Sequence, residues 1–320
     1  MTKVYDRSTR CRPAQVGRGD EEAPMTITIR AADPTAQPEF FGEVSGIDLR
    51  APLTTEDVAA IEAGMDRFAV LRFRDQPIDD AQQLAFSRRF GPIELATGDI
   101  VQGADRRLPM EINDISNLDK SSNVLARDDR KRLFSLGNML WHSDSSFKPT
   151  PARYSLLSAR KIPGHGGNTE FADMRAAWDT LDAETRALVR DLVCEHSQLY
   201  SRGALGFTDF TDEERARWVP VPQRLVRRHP VTGRLSLFLA SHAGAIRGWP
   251  VPEARMLLRD LTEHATQRQF VAVQEWRLHD LVMWDNRVTM HRARRYPADQ
   301  VRDLHRTTIA DVAPTLEQAA

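Results

Sequence analysis

Short extended runs recur along almost the whole chain, with no regular helix set between them, and this narrows the possible folds more than any other feature. Residues 26–29 alternate as a strand does, and residues 41–49 hold a second strand with a turn at Gly46. Further strands are predicted over residues 69–73, 154–159, 169–171, 235–239, 270–276, 280–284 and 306–310. Helical signals are fewer. Thr54 and Asp57 at capping spacing, with Val58, Ile61 and Met65 on one face, predict one helix. Leu84, Ala85 and Phe90 mark another, stopped at Gly91-Pro92. Asp173 caps a short helix through Leu181, residues 188–193 supply the apolar face of the next, and Pro252 opens one carrying Leu257, Leu258 and Leu261. There is no strand–helix–strand rhythm and no Gly-x-Gly-x-x-Gly phosphate loop, which excludes a dinucleotide fold. The pattern predicts a mainly β protein with flanking helices, built as a double-stranded β-helix: a jelly-roll, cupin-like barrel whose mouth can hold a metal and a small ligand.

Residues 1–24 lack a hydrophobic period and read as a disordered tail. Met25 opens the first ordered run and is a candidate start of translation. Residues 25–320 form one predicted domain with lid-like insertions at 95–137 and 203–217, both polar and loop-like. The charge run Asp128-Asp129-Arg130-Lys131-Arg132 reads as a solvated face. Forty-four Lys and Arg oppose 45 Asp and Glu, a net charge of −1, so no global field draws the chain to nucleic acid or to an anionic membrane. Two cysteines cannot build a disulfide framework, and no apolar run reaches membrane-spanning length, so a cytoplasmic location is expected. A homo-oligomer is expected as the assembled form.

The stretch Trp141-His142-Ser143-Asp144 carries the chemistry. On a strand, residues two apart point to the same face, so His142 and Asp144 would aim an imidazole and a carboxylate at one point. His291, just beyond the predicted strand that ends in Trp284-Asp285-Asn286-Arg287, is the candidate third ligand. Two imidazoles and one carboxylate on one face leave three octahedral positions open, which suits iron(II) chemistry that must bind both a chelating cosubstrate and O₂. A structural zinc site would be closed by four protein ligands. The carboxylate of Asp144 favours hydroxylation over halogenation, which needs that position vacated for halide. Arg302 and Arg306 lie four apart in an extended run and face the same side, a costly like-charge pair unless anions bind there. His196, His229 and His242 are candidates to line the pocket, His196 after a helix and His242 after a strand, and His165 in its glycine-rich turn reads as solvated.

Four segments together resemble the taurine dioxygenase / 2,4-dichlorophenoxyacetate dioxygenase family of iron(II)- and 2-oxoglutarate-dependent oxygenases. They are Asn138-Met139-Leu140-Trp141-His142-Ser143-Asp144-Ser145-Ser146-Phe147, then Gly166-Gly167-Asn168-Thr169-Glu170-Phe171-Ala172-Asp173-Met174-Arg175, then Trp284-Asp285-Asn286-Arg287 with His291, and finally Arg302 through Thr307. The resemblance implies that His142, Asp144 and His291 ligate iron and that Thr169 and Arg302 bind the distal carboxylate of 2-oxoglutarate. It implies that Arg306 faces the substrate's anionic group or helps the cosubstrate, and that Asn138 borders the substrate pocket; apart from the resemblance, His196 and His242 are candidates to touch the substrate. The herbicide-cleaving branch is the nearer likeness, on residues 141–147, 173–177 and 263–268.

That branch implies hydroxylation of the carbon next to the ether oxygen of an aryloxyalkanoate, a small anionic aromatic substrate. The hydroxylated product collapses to a phenol and an oxo acid, while 2-oxoglutarate and O₂ yield succinate and CO₂, with ascorbate expected to stimulate. A taurine-like sulfonate or sulfate-ester dioxygenase is the first alternative. A non-catalytic jelly-roll binding protein is the second.

Overall fold

The structure, a computed structural model, describes residues 27–100 and 105–318. The tail reading of residues 1–24, and Met25, lie outside them. In chain order the strands are β1 (Thr28–Ala31), β2 (Phe41–Ser45), β3 (Val70–Phe73), β4 (Asn113–Ser116), β5 (Ala152–Lys161), β6 (Thr169–Asp173), β7 (Val193–His196) and β8 (Val221–Arg224). They continue as β9 (Val226–Arg228), β10 (Leu235–Leu237), β11 (Ala243–Ile246), β12 (Val271–Gln274), β13 (Leu281–Asp285), β14 (Thr289–Ala293) and β15 (Asp303–Ala310). The helices are α1 (Thr55–Phe68), α2 (Asp80–Ser87), α3 (Arg130–Ser135), α4 (Met174–Asp179), α5 (Ala183–Val189), α6 (Gln198–Gly203), α7 (Asp212–Arg217) and α8 (Val251–Ala265).

The main sheet has the order β1-β2-β3-β13-β5-β15-β4, and β12-β6-β14 forms a smaller one. The non-sequential order, with β13 and β15 returning beside early strands, is that of a double-stranded β-helix. Strand β13 shows why it sits at the centre. All five of its residues are buried. Leu281 and Met283 point to a core shared with α1 and α2, while Val282 and Trp284 point to a second core shared with Phe171 of β6 and Ala272 of β12. Period-two alternation therefore splits one strand between an outer layer and the barrel interior.

Helix α1 forms where its capping signal predicts. Thr54 Oγ1 accepts from Asp57 N at 3.1 Å, and the Asp57 carboxylate accepts from Thr54 N at 2.9 Å. Ile61, Met65 and Phe68 bury its inner face against the main sheet, each contributing about 2 kcal/mol of apolar transfer. The helix ends where Ala69 turns left-handed, at φ 63°.

Four sequence expectations need correction. The 95–137 segment is not all loop: it holds β4, paired to β15, and α3. The 203–217 segment holds α7, closed by a capping box between Thr211 and Glu214. The charge run at 128–132 is not a free solvated face. Arg130 pairs with Asp209 and Glu214 and so ties the two insertions together, while Lys131 pairs with Asp114 inside the first. The helix predicted over 188–193 stops at Val189, and Val193 begins β7; His196 therefore ends a strand and does not follow a helix.

Candidate active site

The stretch that carries His142 and Asp144 is not the strand its spacing suggests. His142 makes a lone antiparallel bridge to His291, and Asp144 falls in the turn that follows, where Ser145 adopts φ 55°. His291 lies in the middle of β14, not beyond a strand end, opposite Phe171 of β6. The turn still brings the three side chains to one point. His142 Nε2 is 3.9 Å from Asp144 Oδ1, and His291 Nε2 is 3.7 Å from Asp144 Oδ2. One donor atom from each residue lies within 4.8 Å of the others. All three side chains are buried.

The protonation states suit a cation. His142 Nδ1 sits 2.7 Å from the Leu140 carbonyl, which can only accept, so Nδ1 carries the proton and Nε2 keeps its lone pair. Burial holds the His142 imidazole down at about 4, and holds His291 well below its usual value. Burial works against ionisation of Asp144, but Arg306 and the two imidazoles outweigh it and keep the carboxyl at about 2. At neutral pH the set is two neutral imidazoles and one carboxylate.

Asp144 is held by a relay that sequence reasoning did not assign. Ser155 Oγ donates to Asp144 Oδ2 at 2.7 Å, and Asn286 Nδ2 donates to Ser155 Oγ at 2.9 Å. Asn286 Oδ1 accepts from Asp144 N and from Trp284 Nε1, each at 3.0 Å. Arg306 donates to Asp144 Oδ1. Asn286 and Trp284 were visible as a motif before His291, but nothing in the sequence said that they serve Asp144. Ser155 carried no signal, being one more residue of a buried strand.

Two cavities meet at the triad. One is lined by Thr169, Arg302, His291, Trp284, Asn138 and Arg306. Arg302 is 4% exposed, and no ion pair reaches it among the described residues; its Nε and one terminal nitrogen donate to the Gly167 carbonyl at 3.3 and 3.1 Å. Burial lowers the Arg302 guanidinium to about 10, still charged at neutral pH. Thr169 Oγ1 accepts from Trp276 Nε1 at 3.0 Å, which leaves the hydroxyl proton to donate. The turn at Gly166 and Gly167 needs glycine: both have positive φ, and a Cβ on Gly166 would meet the Arg295 carbonyl oxygen at 2.5 Å.

The second cavity is lined by His142 and Asp144 together with Asn138, His242, Arg306, Arg202 and the rings of Phe134 and Phe147. His242 stands edge-on to His142 at 6.1 Å and to Phe147 at 5.0 Å. Asn138 and Arg306 thus border both cavities. His196 borders neither: it is fully buried and stacks on Phe238 at 5.9 Å, out of reach of a substrate in either cavity, contrary to the sequence expectation. His229 faces Asp285 and Arg287 instead. Arg202 was not singled out from the sequence, because it sits in a polar stretch with no periodicity.

A three-donor face with open positions, beside a buried arginine with no carboxylate partner among the described residues, suits a mononuclear iron site and an oxo acid. The donor set and the unpaired guanidinium both fit iron(II) and 2-oxoglutarate. Residues 29–308 match the family described as "Taurine catabolism dioxygenase TauD, TfdA family", and the chain belongs to that family. It is a 2-oxoglutarate-dependent dioxygenase with the jelly-roll fold.

Its relatives narrow the likeness. It is 46% identical over 276 residues to the alpha-ketoglutarate-dependent 2,4-dichlorophenoxyacetate dioxygenase of Cupriavidus pinatubonensis (strain JMP 134 / LMG 1197), covering 86% of this chain and 96% of that protein. It is 36% identical over 279 residues to the (S)-phenoxypropionate/alpha-ketoglutarate-dioxygenase of Sphingobium herbicidovorans, covering 85% and 92%. Among solved structures, that of AAD-2 in complex with Mn(II) and N-oxalylglycine superposes with a TM-score of 0.88 at 58% identity, covering 91% of this chain and all of the other. Among the described residues, no helix is long and apolar enough to cross a membrane.

Proposed function

We propose that the chain oxidises aryloxyalkanoates at the carbon between the ether oxygen and the carboxylate, releasing a phenol and an oxo acid. One observation carries the reading: a single cavity joins the metal-ligand face to arginine side chains and to the rings of Phe134 and Phe147. That lining matches a substrate with an anionic end and an aromatic end. The named activities of the relatives support the same choice.

His142, Asp144 and His291 would hold iron(II), and Arg302 and Thr169 the far carboxylate of 2-oxoglutarate. Iron and the oxo acid together supply an oxidant able to hydroxylate an unactivated C–H bond, with succinate and CO₂ as the other products. The chain's own residues position and protect. The Leu140 carbonyl fixes the His142 tautomer, so that Nε2 faces the metal position. Ser155 and Asn286 aim the Asp144 carboxylate. Arg306 borders both cavities and would neutralise anions on either side, while Asn138 and His242 shape the wall against the substrate. Burial of the triad excludes water, so that the oxidant meets the intended bond. A single catalytic domain, and assembly into a homo-oligomer, belong to the same proposal; light scattering after size exclusion reads the latter.

The test is turnover of iron-loaded protein with 2-oxoglutarate, O₂ and ascorbate. The panel holds 2,4-dichlorophenoxyacetate, both enantiomers of a phenoxypropionate, taurine and an alkyl sulfate ester. The reading expects phenol and succinate in equal amounts. Sulfite or sulfate release without phenol would move the function to sulfur substrates, and no succinate with any of them would leave a binding protein.

A further inference from the structure

One cation in the cavity that holds His142 and Asp144 has no carboxylate partner among the described residues. Glu94 pairs with Lys148, Asp99 with Arg106, and Asp114 with Arg107 and Lys131, while Arg306 donates to Asp144, the proposed metal ligand. Arg202, near the end of α6, is left over: among the described residues no carboxylate lies within ion-pair distance of it, and Asp99 acts on it only at longer range.

Arg202 is nevertheless held firmly in place. It is 6% exposed, and its guanidinium carbon lies 4.6 Å from the centroid of the Phe134 ring. It rests directly on Gly137, where a Cβ would come within 2.3 Å of the guanidinium carbon and would push it out of this position. One terminal nitrogen donates to Ser201 Oγ at 3.2 Å, and that hydroxyl lies 2.9 Å from His242 Nδ1. Guanidinium and imidazole are thus tied to one oxygen. Arg202 Nε is buried and has no partner among the described residues.

Burying a guanidinium without a counter-ion is unfavourable unless an anion arrives to share the space. A side chain that merely filled this wall would need the volume, and a methionine would supply it without the charge. The cosubstrate is not the missing anion, because Arg302 and Thr169 lie in the other cavity, whose lining does not include Arg202.

We propose that Arg202 is a specificity-determining anchor that binds the carboxylate of the aryloxyalkanoate from the α6 side of the cavity. This rests on the substrate reading above. Holding the carboxylate there leaves the adjoining carbon to reach towards His142 and Asp144, which line the same cavity as Phe147. Gly137 and Ser201 act through Arg202, as positioning residues.

The experiment compares 2,4-dichlorophenoxyacetate with its neutral primary amide, by calorimetric binding and by steady-state kinetics, in wild type, Arg202→Met and Arg202→Lys. A charge-assisted pair predicts that wild type prefers the acid to the amide roughly 100-fold and that Arg202→Met lowers this preference to below about 5-fold. KM for 2-oxoglutarate stays within about 2-fold, because Arg302 is untouched. Arg202→Lys keeps a charge without the planar fork and raises KM for the acid about 10-fold, with Tm unchanged. This variant decides the matter if Arg202→Met does not fold. Equal weakening of acid and amide in Arg202→Met, an unaltered preference, or an unaltered KM for the acid in Arg202→Lys would each overturn the anchor. If wild type converts no aryloxyalkanoate, the substrate reading falls and takes the ligand of Arg202 with it. Turnover in wild type with an unchanged preference in the variants overturns the anchor alone.

Discussion

His142 and His291 clasp each other through their backbones: His142 N donates to the His291 carbonyl at 3.0 Å, and His291 N to the His142 carbonyl at 2.8 Å. This one bridge sets their ring centroids 4.2 Å apart. The spacing of the two imidazoles is therefore fixed by main-chain hydrogen bonds, and the metal does not have to gather them.

The clasp predicts a separation of fold from metal binding. His142→Ala and His291→Ala keep both backbone bonds, so each variant should melt within a few degrees of the metal-free wild type. Each should lose more than about 100-fold in iron(II) affinity, and turnover with it. Thermal unfolding and a competitive metal titration check the two halves. A variant that keeps full activity would remove its residue from the ligand set.

Asp144 depends on its supports. Ser155→Ala removes the hydroxyl that donates to Oδ2, and Asn286→Ala removes the groups that hold both Ser155 and the Asp144 amide. Each is expected to cost about 10- to 100-fold in metal affinity, while KM for 2-oxoglutarate, measured at saturating iron, changes little. Affinity within twofold of wild type would show that the relay is structural only.

The buried histidines give the metal-free protein a defined acid sensitivity. Burial holds His196 at about 3 and His142 at about 4, below the ordinary 6.5. Between those values and 6.5 the unfolded chain binds protons that the folded chain does not, so stability rises with pH and is lost on acidification from about pH 6.5 downward. Each such group contributes about 1.4 kcal/mol per pH unit within its window. Asp144 adds to the loss between 3.8 and about 2. His305 works in the opposite sense: burial alone would lower it, but Asp303 and Asp80 raise it, so its contribution is complete below 6.5 and fades as pH rises through the folded value. His196 is the cleanest probe, because neither ring nitrogen has a partner among the described residues. His196→Leu should flatten the dependence of urea stability on pH between about 6 and 4 by roughly one proton. An unchanged slope would contradict its burial as a neutral ring.

Much of this was legible in the sequence where one physical signal dominated. The strands that line the barrel alternate or run wholly apolar, and the capping pair Thr54–Asp57 marks α1 almost to the residue. The segments read as loops were those whose partners are polar. Strand β4 lies at the sheet edge, with Asp114 tied to Arg107 and Lys131, so no apolar alternation betrays it. Helix α7 reads Asp-Glu-Glu-Arg-Ala-Arg and has no apolar stripe; only the Thr211–Glu214 capping spacing could have found it.

The site was legible in the same uneven way. His142, Asp144, His291, Thr169 and Arg302 stand in motifs. His196 looked equally available, and only the packing of β7 against Phe238 shows that it borders neither cavity. Arg202 shows the opposite failure. What distinguishes it is the absence of a carboxylate neighbour and the close approach of Gly137, both of them relations across the fold.

The central claim is that the clasped histidines, Asp144 and Arg302 form one metal and cosubstrate centre. Its most direct test is an anaerobic titration of 2-oxoglutarate into iron(II)-loaded wild type and Arg302→Met, read as visible absorption of the iron–oxo acid complex. The account predicts saturation at one equivalent per chain in wild type, and roughly 100-fold weaker half-saturation in Arg302→Met, the loss expected for a charge-assisted pair. Equal half-saturation in the two proteins, or no absorption in wild type, would contradict it.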